Sequence, residues 1–160
     1  MSKLKILEWE ENVELCLVAI YTPLPDYKLA YNVNSSIHSV YFKNHHSIQS
    51  KIDKKSFYFS LYKSEQSKNT HPIYLLDNLS FTSDGTIISA GLFDEMSAEE
   101  RTLIKTNLKW RYLLFSEDSQ IVSYCTTLSK IKHINFSHAI DFQSLRKPEQ
   151  DTLISITYDE

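Results

Sequence analysis

The order of apolar and polar residues predicts an α+β protein: a mainly antiparallel sheet of about six to eight strands with two or three helices packed on one face. Short β-prone runs outnumber helical ones along the chain. One helical pattern follows the first predicted strand, and a second precedes a late one. With 160 residues the chain can bury a sizeable core. We therefore predict a single α+β domain over residues 1–160.

The first predicted strand and helix lie near the start of the chain. Residues 13–20 are apolar at nearly every position, which is typical of a central strand covered on both faces. A helix is predicted over residues 25–36, because Leu29, Val33 and Ile37 recur at helical spacing. The prolines before it fit a first turn, where a missing N–H costs little.

The middle of the chain predicts further strands. Aromatic and β-branched residues are frequent in residues 39–43, 56–62 and 73–76, as is typical of strands. Residues 44–55 are polar and rich in His and Lys, so we predict a loop there. Asp84-Gly85 lies between two β-prone runs and indicates a hairpin turn, because glycine adopts positive φ at little cost.

The second half of the chain holds one ambiguous segment. Residues 97–100 read Ser-Ala-Glu-Glu, a capping box that predicts a short helix, and residues 108–115 predict a strand. Ser116 is a plausible N-cap for a second helix. Residues 134–140 alternate apolar and polar and predict a last core strand. Residues 152–157 could add an edge strand.

Glycine is scarce, since Gly85 and Gly91 are the only two in the chain. A backbone that wraps a phosphate closely needs several residues without a Cβ at close spacing. Neither the dinucleotide-binding motif nor the P-loop motif can be formed, and the G-x-S-x-G nucleophile elbow is absent. The sequence argues against such nucleotide-binding loops and against an α/β-hydrolase, whereas folds that bind phosphate by other means remain open.

Charge and hydropathy predict a cytoplasmic protein without a membrane contact. The net charge of −3 gives no global attraction to nucleic acid or anionic lipid. Residues 1–11 are charged and lack the apolar core of a signal peptide. Cys16 and Cys125 lie far apart in the sequence, and we expect two reduced, packed thiols. A disulfide or a reactive thiol is the alternative.

Several segments resemble a known family. Residues 17–32 read LVAIYTPLPDYKLAYN and are similar to an opening strand followed by a helix of the DYRLAYLLN type. Residues 91–93 match a GLF element, and residues 138–141 (HAID) are similar to the end of a closing strand. These segments resemble the bacterial IPExxxVDY family, which is named for an Ile-Pro-Glu-x-x-x-Val-Asp-Tyr stretch and has no known function.

The naming motif of that family is largely lost in this chain. Residues 104–112 lie where it would stand, and Ile104 and Tyr112 match it in register. Its Pro, Glu, Val and Asp are replaced by Lys105, Thr106, Trp110 and Arg111. The resemblance implies one α+β domain in a cytoplasmic bacterial protein, and a hairpin of residues 99–105 with 108–115 in place of the capping-box helix. It transfers no catalytic residues.

Residues that could carry chemistry are scattered. None of the six histidines stands in H-x-x-x-H or H-E-x-x-H spacing, and no C-x-x-C occurs, so a zinc site would need ligands from distant segments. Most carboxylate pairs lie at predicted helix starts or near the termini, where the helix dipole and solvent explain them. We expect no metal, no cofactor and no catalytic residue. Enzyme activity is uncertain and less favoured than binding.

The most distinctive stretch is residues 41–63, which combine five lysines with one acidic residue and six aromatic residues. Lysines contact phosphate and aromatic rings stack on bases, so this pattern is typical of a surface for RNA or single-stranded nucleic acid. The candidate contacts are Lys51, Lys54, Lys55 and Tyr58. A structural explanation competes: alternate residues 57–61 would face the core, and the lysines would keep a loop in solvent.

Tyr27 and Tyr31 are candidates for a protein-contact surface, because tyrosine is enriched at interfaces. The leading hypothesis is a non-catalytic cytoplasmic protein that acts through a protein partner or as a homo-oligomer. A nucleic-acid-binding accessory protein that uses residues 41–63 is the alternative. An enzyme would need a concave pocket with convergent polar groups.

Overall fold

The computed structural model describes residues 14–37, 40–52, 54–65, 71–81, 100–105 and 110–158. Its strands are β1 (Cys16–Tyr21), β2 (Lys43–Ile52), β3 (Lys55–Ser64), β4 (Ile73–Asp77), β5 (Leu79–Phe81), β6 (Glu100–Thr102), β7 (Tyr112–Ser116) and β8 (Phe136–Ile140). Its α-helices are α1 (Asp26–Ser36), α2 (Tyr124–Lys130) and α3 (Lys147–Tyr158). Two short 3₁₀ helices cover Ser119–Ser123 and Phe142–Ser144.

The strands of the described residues form two antiparallel sheets. The main sheet has six strands in the order β2-β3-β4-β7-β1-β8, and a small sheet pairs β5 with β6. Every strand pair in both sheets is antiparallel. The predicted α+β class with a mainly antiparallel sheet is therefore confirmed.

The main sheet is covered on both faces, and β1 shows this most clearly. Val18 and Ile20 belong to the cluster that packs under α1 and α2. Leu17 and Ala19 belong to the cluster on the opposite face, which α3 covers. All four side chains are buried, as the continuous apolar run predicts. The two predicted helices share one face of the sheet, and α3 supplies a further layer on the other.

Helix α1 forms where the apolar stripe predicts it. Pro25 precedes its first residue, and the Pro25 carbonyl accepts from the backbone N–H groups of Lys28 and Leu29 at 3.1 and 3.0 Å. Leu29 and Val33 are buried in the core, and Ile37 ends the helix in an extended conformation. The predicted helix over residues 25–36 is confirmed.

Most of the prediction for residues 39–55 is wrong, although Lys43 is in a strand as predicted and residues 39 and 53 lie outside the described residues. Residues 40–42 lie outside any strand, and the segment predicted as a loop is mostly strand β2. β2 is an outer strand that pairs only with β3 in the described sheet, so its side chains need not be apolar. Lys54, with φ at 67°, forms the turn between β2 and β3. Backbone pairing with the aromatic strand β3, not hydropathy, makes this segment a strand.

The segment around residue 100 is strand, not helix. Glu100–Thr102 pairs with Leu79–Phe81, so the capping-box helix is wrong at these residues. The hairpin implied by the family resemblance is wrong as well, because β7 pairs with β1 and β4 instead. The buried Asn78 side chain holds the segment, donating to the Ile104 carbonyl at 2.9 Å and accepting from the Ile104 N–H at 2.7 Å. The predicted Asp84-Gly85 turn and residues 91–93 lie outside the described residues.

The predicted N-cap at Ser116 is wrong by two positions. Ser116 is the last residue of β7, and its hydroxyl donates to the Pro72 carbonyl at 2.9 Å. The cap is Asp118, whose side chain accepts from the backbone N–H of Gln120 at 2.9 Å. A carboxylate at this position also interacts favourably with the positive N-terminal end of the helix dipole.

The predicted edge strand over residues 152–157 is wrong, because this segment is the second half of α3. Leu153, Ile154 and Ile156 are buried against the sheet. Pro148 is the second residue of the helix, where its missing N–H leaves no helical bond unmade. Three close apolar residues fit one side of a helix as well as they fit a short strand, and packing on the sheet decides between the two.

Candidate functional site

The two outer strands of the main sheet, β2 and β8, are the candidate contact edges of this fold. In the described part of the chain each pairs with one neighbour only, β2 with β3 and β8 with β1. An outer strand presents backbone N–H and C=O groups that can pair with a strand of another chain. The side chains on each edge decide whether such pairing is favoured.

The β2 edge carries features that oppose pairing. Lys43 and Lys51 are exposed on it, and a charged lysine loses hydration when another strand docks beside it. Its register with β3 shifts between His45 and Ile48, which is a bulge that distorts the outer row of backbone groups. Lysines and bulges are the usual protection of natural sheet edges.

The β8 edge lacks that protection. Its sequence, Phe-Ser-His-Ala-Ile, contains no Lys, Arg, Asp or Glu. All five residues keep a regular register with β1, from Tyr21 opposite Phe136 to Leu17 opposite Ile140. Phe136 is 52% exposed, and Ala139 is exposed beside it. This short, regular and uncharged edge can accept a further strand.

Three rings lie side by side at the β8 edge, and we name Tyr21, Phe136 and His138 the β8 aromatic cluster. The ring centroids of Tyr21 and Phe136 are 5.5 Å apart, those of Tyr21 and His138 are 5.6 Å apart, and those of Phe136 and His138 are 5.2 Å apart. These separations lie in the range that stabilises aromatic pairs. The cluster therefore gives the β8 edge a preformed apolar surface.

His138 holds an unsatisfied polar atom in this cluster. Its Nδ1 is buried and has no hydrogen-bond partner among the described residues. Buried polar atoms in proteins are almost always hydrogen-bonded, so this atom is an exception within the described part of the chain. His138 is also the central residue of β8.

The opposite face of β8 is fixed in place by α2. The buried Ser137 hydroxyl donates to the Cys125 carbonyl at 2.9 Å and lies 2.9 Å from the Ser129 hydroxyl. The Thr22 hydroxyl donates to the His133 carbonyl at 2.7 Å just before the strand begins. These bonds hold β8 in a defined position.

Tyr27 and Tyr31 are exposed, with 62% and 70% of their surface accessible. They lie four residues apart on the outer side of α1, so their rings are exposed on a different element from the β8 edge. Their exposure fits the predicted role in protein contact, which stays a prediction.

The lysines of the basic stretch do not share one face of the β2–β3 hairpin. Gln49 lies opposite Tyr58, and Lys51 lies opposite Ser56, so Lys51 and Tyr58 project from the same face. Lys54 lies at the adjoining turn. Lys55 is opposite Ile52 and therefore projects from the other face.

The buried alternation predicted in the same stretch is confirmed, because Phe57, Phe59 and Leu61 are all buried. Tyr58, between them, is 47% exposed. Lys43 and Lys63 are directly opposite each other, and Lys63 also forms an ion pair with Glu65 at 3.1 Å. Lys51 and Tyr58 thus share one face of the hairpin, and Lys54 lies at the adjoining turn.

A polar network that the sequence did not indicate joins β4, β7 and α1. Arg111 donates through Nε and Nη2 to the two carboxylate oxygens of Asp77, both at 3.0 Å. The Tyr62 hydroxyl donates to Asp26 at 3.1 Å, and the Tyr112 hydroxyl donates to the Leu24 carbonyl at 2.6 Å. Burial and the Asp26 carboxylate raise the pKa of Tyr62 to about 12. These groups bind one another or the backbone, which is typical of a structural network rather than a reactive site.

Both cysteines are free and partly buried. Burial raises the pKa of Cys16, and the nearby carboxylates of Asp118 and Glu14 raise it further. Burial also raises the pKa of Cys125 above its usual value, although a backbone hydrogen bond acts in the opposite direction. Because the thiolate is the reactive form, neither side chain has the environment of a nucleophile.

Among the described residues, no three His, Cys, Asp or Glu side chains are grouped so that they could hold a metal ion. None of the helices in the described ranges is long and apolar enough to cross a membrane. Searches against family models, curated proteins and solved structures gave no match. The resemblance of residues 17–32 and 104–112 to the IPExxxVDY family therefore stays a prediction.

Proposed function

We propose that this chain is a non-catalytic interaction module, and that its contact site is the β8 edge, where a partner protein adds a strand to the main sheet. One observation carries the proposal: the β2 edge has exposed lysines and a bulge, whereas the β8 edge has neither. Natural sheets protect edges that must stay unpaired. An unprotected edge beside a protected one supports a role for β8 in pairing.

The geometry supports recognition of an extended segment. In strand addition, backbone hydrogen bonds supply affinity and alternate side chains supply specificity. Phe136 and His138 project from one face of β8 together with Tyr21 of the neighbouring strand, so they contact every second residue of an added strand. The bonds from Ser137 to α2 keep the edge ordered, which lowers the entropy cost of binding.

The test is selection of peptides from a displayed random library by the full-length chain. We expect selected peptides to lose at least tenfold in affinity for Ala139→Lys, because a lysine at an exposed edge position opposes pairing. Ser47→Lys, which places the same charge on the exposed β2 edge, is the matched control and should bind like the wild type. Peptides that bind Ala139→Lys as tightly as the wild type would refute the proposal.

A second function, binding of RNA or single-stranded nucleic acid, is favoured by one observation. Lys51 and Tyr58 project from the same face of the hairpin, and Lys54 adjoins them at the turn. Lysines neutralise phosphates while an exposed ring stacks on a base. The site is small, because Lys55 projects from the opposite face.

This second function is tested by fluorescence anisotropy with a labelled polyuridine oligonucleotide at several salt concentrations. We expect affinity that falls with salt and that falls several-fold in the double variant Lys51→Ala, Lys54→Ala. Lys55→Ala should have a smaller effect. Lys147→Ala, an exposed lysine on α3, is the control. Equal affinity of the double variant and the wild type would eliminate this function.

We place the protein in a bacterial cytoplasm as part of the proposal. The family resemblance of residues 17–32 implies this location. The two free cysteines, Cys16 and Cys125, support it, because cytoplasmic thiols are kept reduced.

A further inference from the structure

We infer that the strand added at the β8 edge is β8 of a second copy of this chain, paired antiparallel across a two-fold axis at His138. The inference rests on the proposed function and names its partner. A two-fold contact uses the same surface on both copies, so the surface must complement itself. The charge pattern, the residue order and the central position of His138 each support self-pairing.

Charge is the first support. β8 contains no Lys, Arg, Asp or Glu, so two copies of it meet without repulsion between such charges. Pairing of β8 with the β2 edge would instead desolvate Lys43 or Lys51, which are exposed there. Among the outer strands of the described sheet, β8 is therefore the best partner for β8.

Residue order is the second support. Antiparallel pairing centred on His138 places Phe136 opposite Ile140 of the second copy, and Ser137 opposite Ala139. Each of these pairs occurs twice because of the symmetry. An aromatic residue opposite a β-branched one is a stabilising cross-strand pair, and it covers the half of Phe136 that is exposed in the single chain.

The central position is the third support. The two His138 rings lie opposite each other in this register, inside two adjoining aromatic clusters. A neutral imidazole has one N–H donor and one acceptor nitrogen, so one ring can donate a hydrogen bond to the other. Nδ1 is already buried within its own chain, so such a bond would run between the two Nε2 atoms.

The oligomeric state is the first test, measured by sedimentation equilibrium on the full-length chain. We expect a monomer–dimer equilibrium whose dissociation constant rises at least tenfold in Ala139→Lys and stays unchanged in Ser47→Lys. Circular dichroism spectra verify that both variants are folded. A wild type that remains monomeric up to the highest soluble concentration would overturn the inference, and so would a dimer that Ala139→Lys leaves intact.

The register is the second test, measured by oxidative cross-linking of a cysteine on the two-fold axis. His138→Cys places two thiols directly opposite each other, at a separation that a disulfide can bridge. We expect a covalent dimer from His138→Cys and little from Ala139→Cys, whose thiols are diagonal, or from the wild type with Cys16 and Cys125. Cross-linking as efficient in Ala139→Cys as in His138→Cys would overturn the two-fold register.

The two proposals fail in different ways. A monomeric wild type that still binds selected peptides in a manner lost in Ala139→Lys refutes the self-pairing inference and leaves the proposed function standing. A monomer that selects no peptide refutes both. A dimer abolished by Ala139→Lys and cross-linked through His138→Cys supports both.

Discussion

Glu149 is a buried carboxylate that ties α3 to the chain segment after β6. It accepts a hydrogen bond from the Lys105 backbone N–H at 2.5 Å and from the Arg146 side chain at 3.3 Å. Burial alone would raise the pKa of Glu149, but the bonds from Arg146 and from the backbone N–H groups outweigh it, so its pKa is lowered. The folded protein therefore favours the charged form of this group.

Glu149→Gln is expected to destabilise the protein by about 1–3 kcal/mol at neutral pH, because charged hydrogen bonds are lost in a buried place. A carboxylate with a lowered folded-state pKa stabilises the fold above its unfolded value, and that stability is lost as pH falls through the folded value. The difference in the free energy of unfolding between wild type and Glu149→Gln should thus shrink as the pH drops below about 4. Urea unfolding at several pH values measures this difference.

Asp151→Asn is the control for that experiment, since Asp151 forms an exposed pair with Lys147 at 3.4 Å. Exposed ion pairs contribute little, so this variant should change stability by less than about 0.5 kcal/mol. A Glu149→Gln effect that is constant across the acid range would contradict the assignment of the lowered pKa.

Lys54 is in the left-handed region, with φ at 67°, where a side chain with a Cβ is strained. We expect Lys54→Gly to stabilise the protein by up to about 1 kcal/mol, because glycine adopts this conformation without strain. The matched control is Lys51→Gly, an exposed position within β2, where glycine should cost about 0.5–1 kcal/mol. If both substitutions lowered the free energy of urea unfolding by the same amount, the Lys54 conformation would carry no strain.

At the scale of secondary-structure elements, local pattern predicted those segments whose own side chains determine burial. α1 was predictable because its stripe of Leu29 and Val33 faces the core. β2 was not, because an outer strand is held by backbone bonds to β3 and its polar residues carry no periodic signal. Residues 152–157 are a short apolar and β-branched run that fits an edge strand but are helical, since packing of α3 on the sheet overrides so short a pattern.

The candidate site was only partly predictable for the same reason. The strand at residues 134–140 was predicted, but its place at the sheet edge depends on which strand it pairs with, and that is a long-range property. The local pattern therefore does not single out Phe136 and His138 as residues of a sheet edge. An uncharged strand that begins with an aromatic residue was the available signal. The exposure of Tyr27 and Tyr31 on α1 was predictable from the helical stripe.

The Asn78 side chain ties the bend between β4 and β5 to the segment after β6. Asn78 is almost fully buried and satisfies both backbone groups of Ile104. We expect Asn78→Ala to lower stability by about 2 kcal/mol or more, because a buried N–H and a buried C=O lose their partners. Asn44→Ala, at an exposed position on β2, should change stability by less than about 0.5 kcal/mol. An Asn78→Ala effect as small as that of the control would show that water replaces the side chain.

At the scale of the whole molecule, self-pairing links stability to concentration. A partner that binds only the folded chain raises the apparent stability by mass action. We expect the melting temperature of the wild type to rise with protein concentration and that of Ala139→Lys to stay constant. Differential scanning fluorimetry over a wide concentration range measures this. A wild-type melting temperature independent of concentration would contradict self-pairing in the range tested.

The asymmetry between the two borders of the main sheet has a consequence for how far assembly can proceed. Joining two copies through β8 consumes the receptive border of each, and the borders left outermost are both the lysine-bearing, bulged β2. In the proposed pair, the main sheet of the described residues has no regular, uncharged border left to extend, so we expect growth to stop at a pair and not to continue into a fibril. A protein with one protected and one unprotected sheet edge can dimerise through its sheet without open-ended polymerisation.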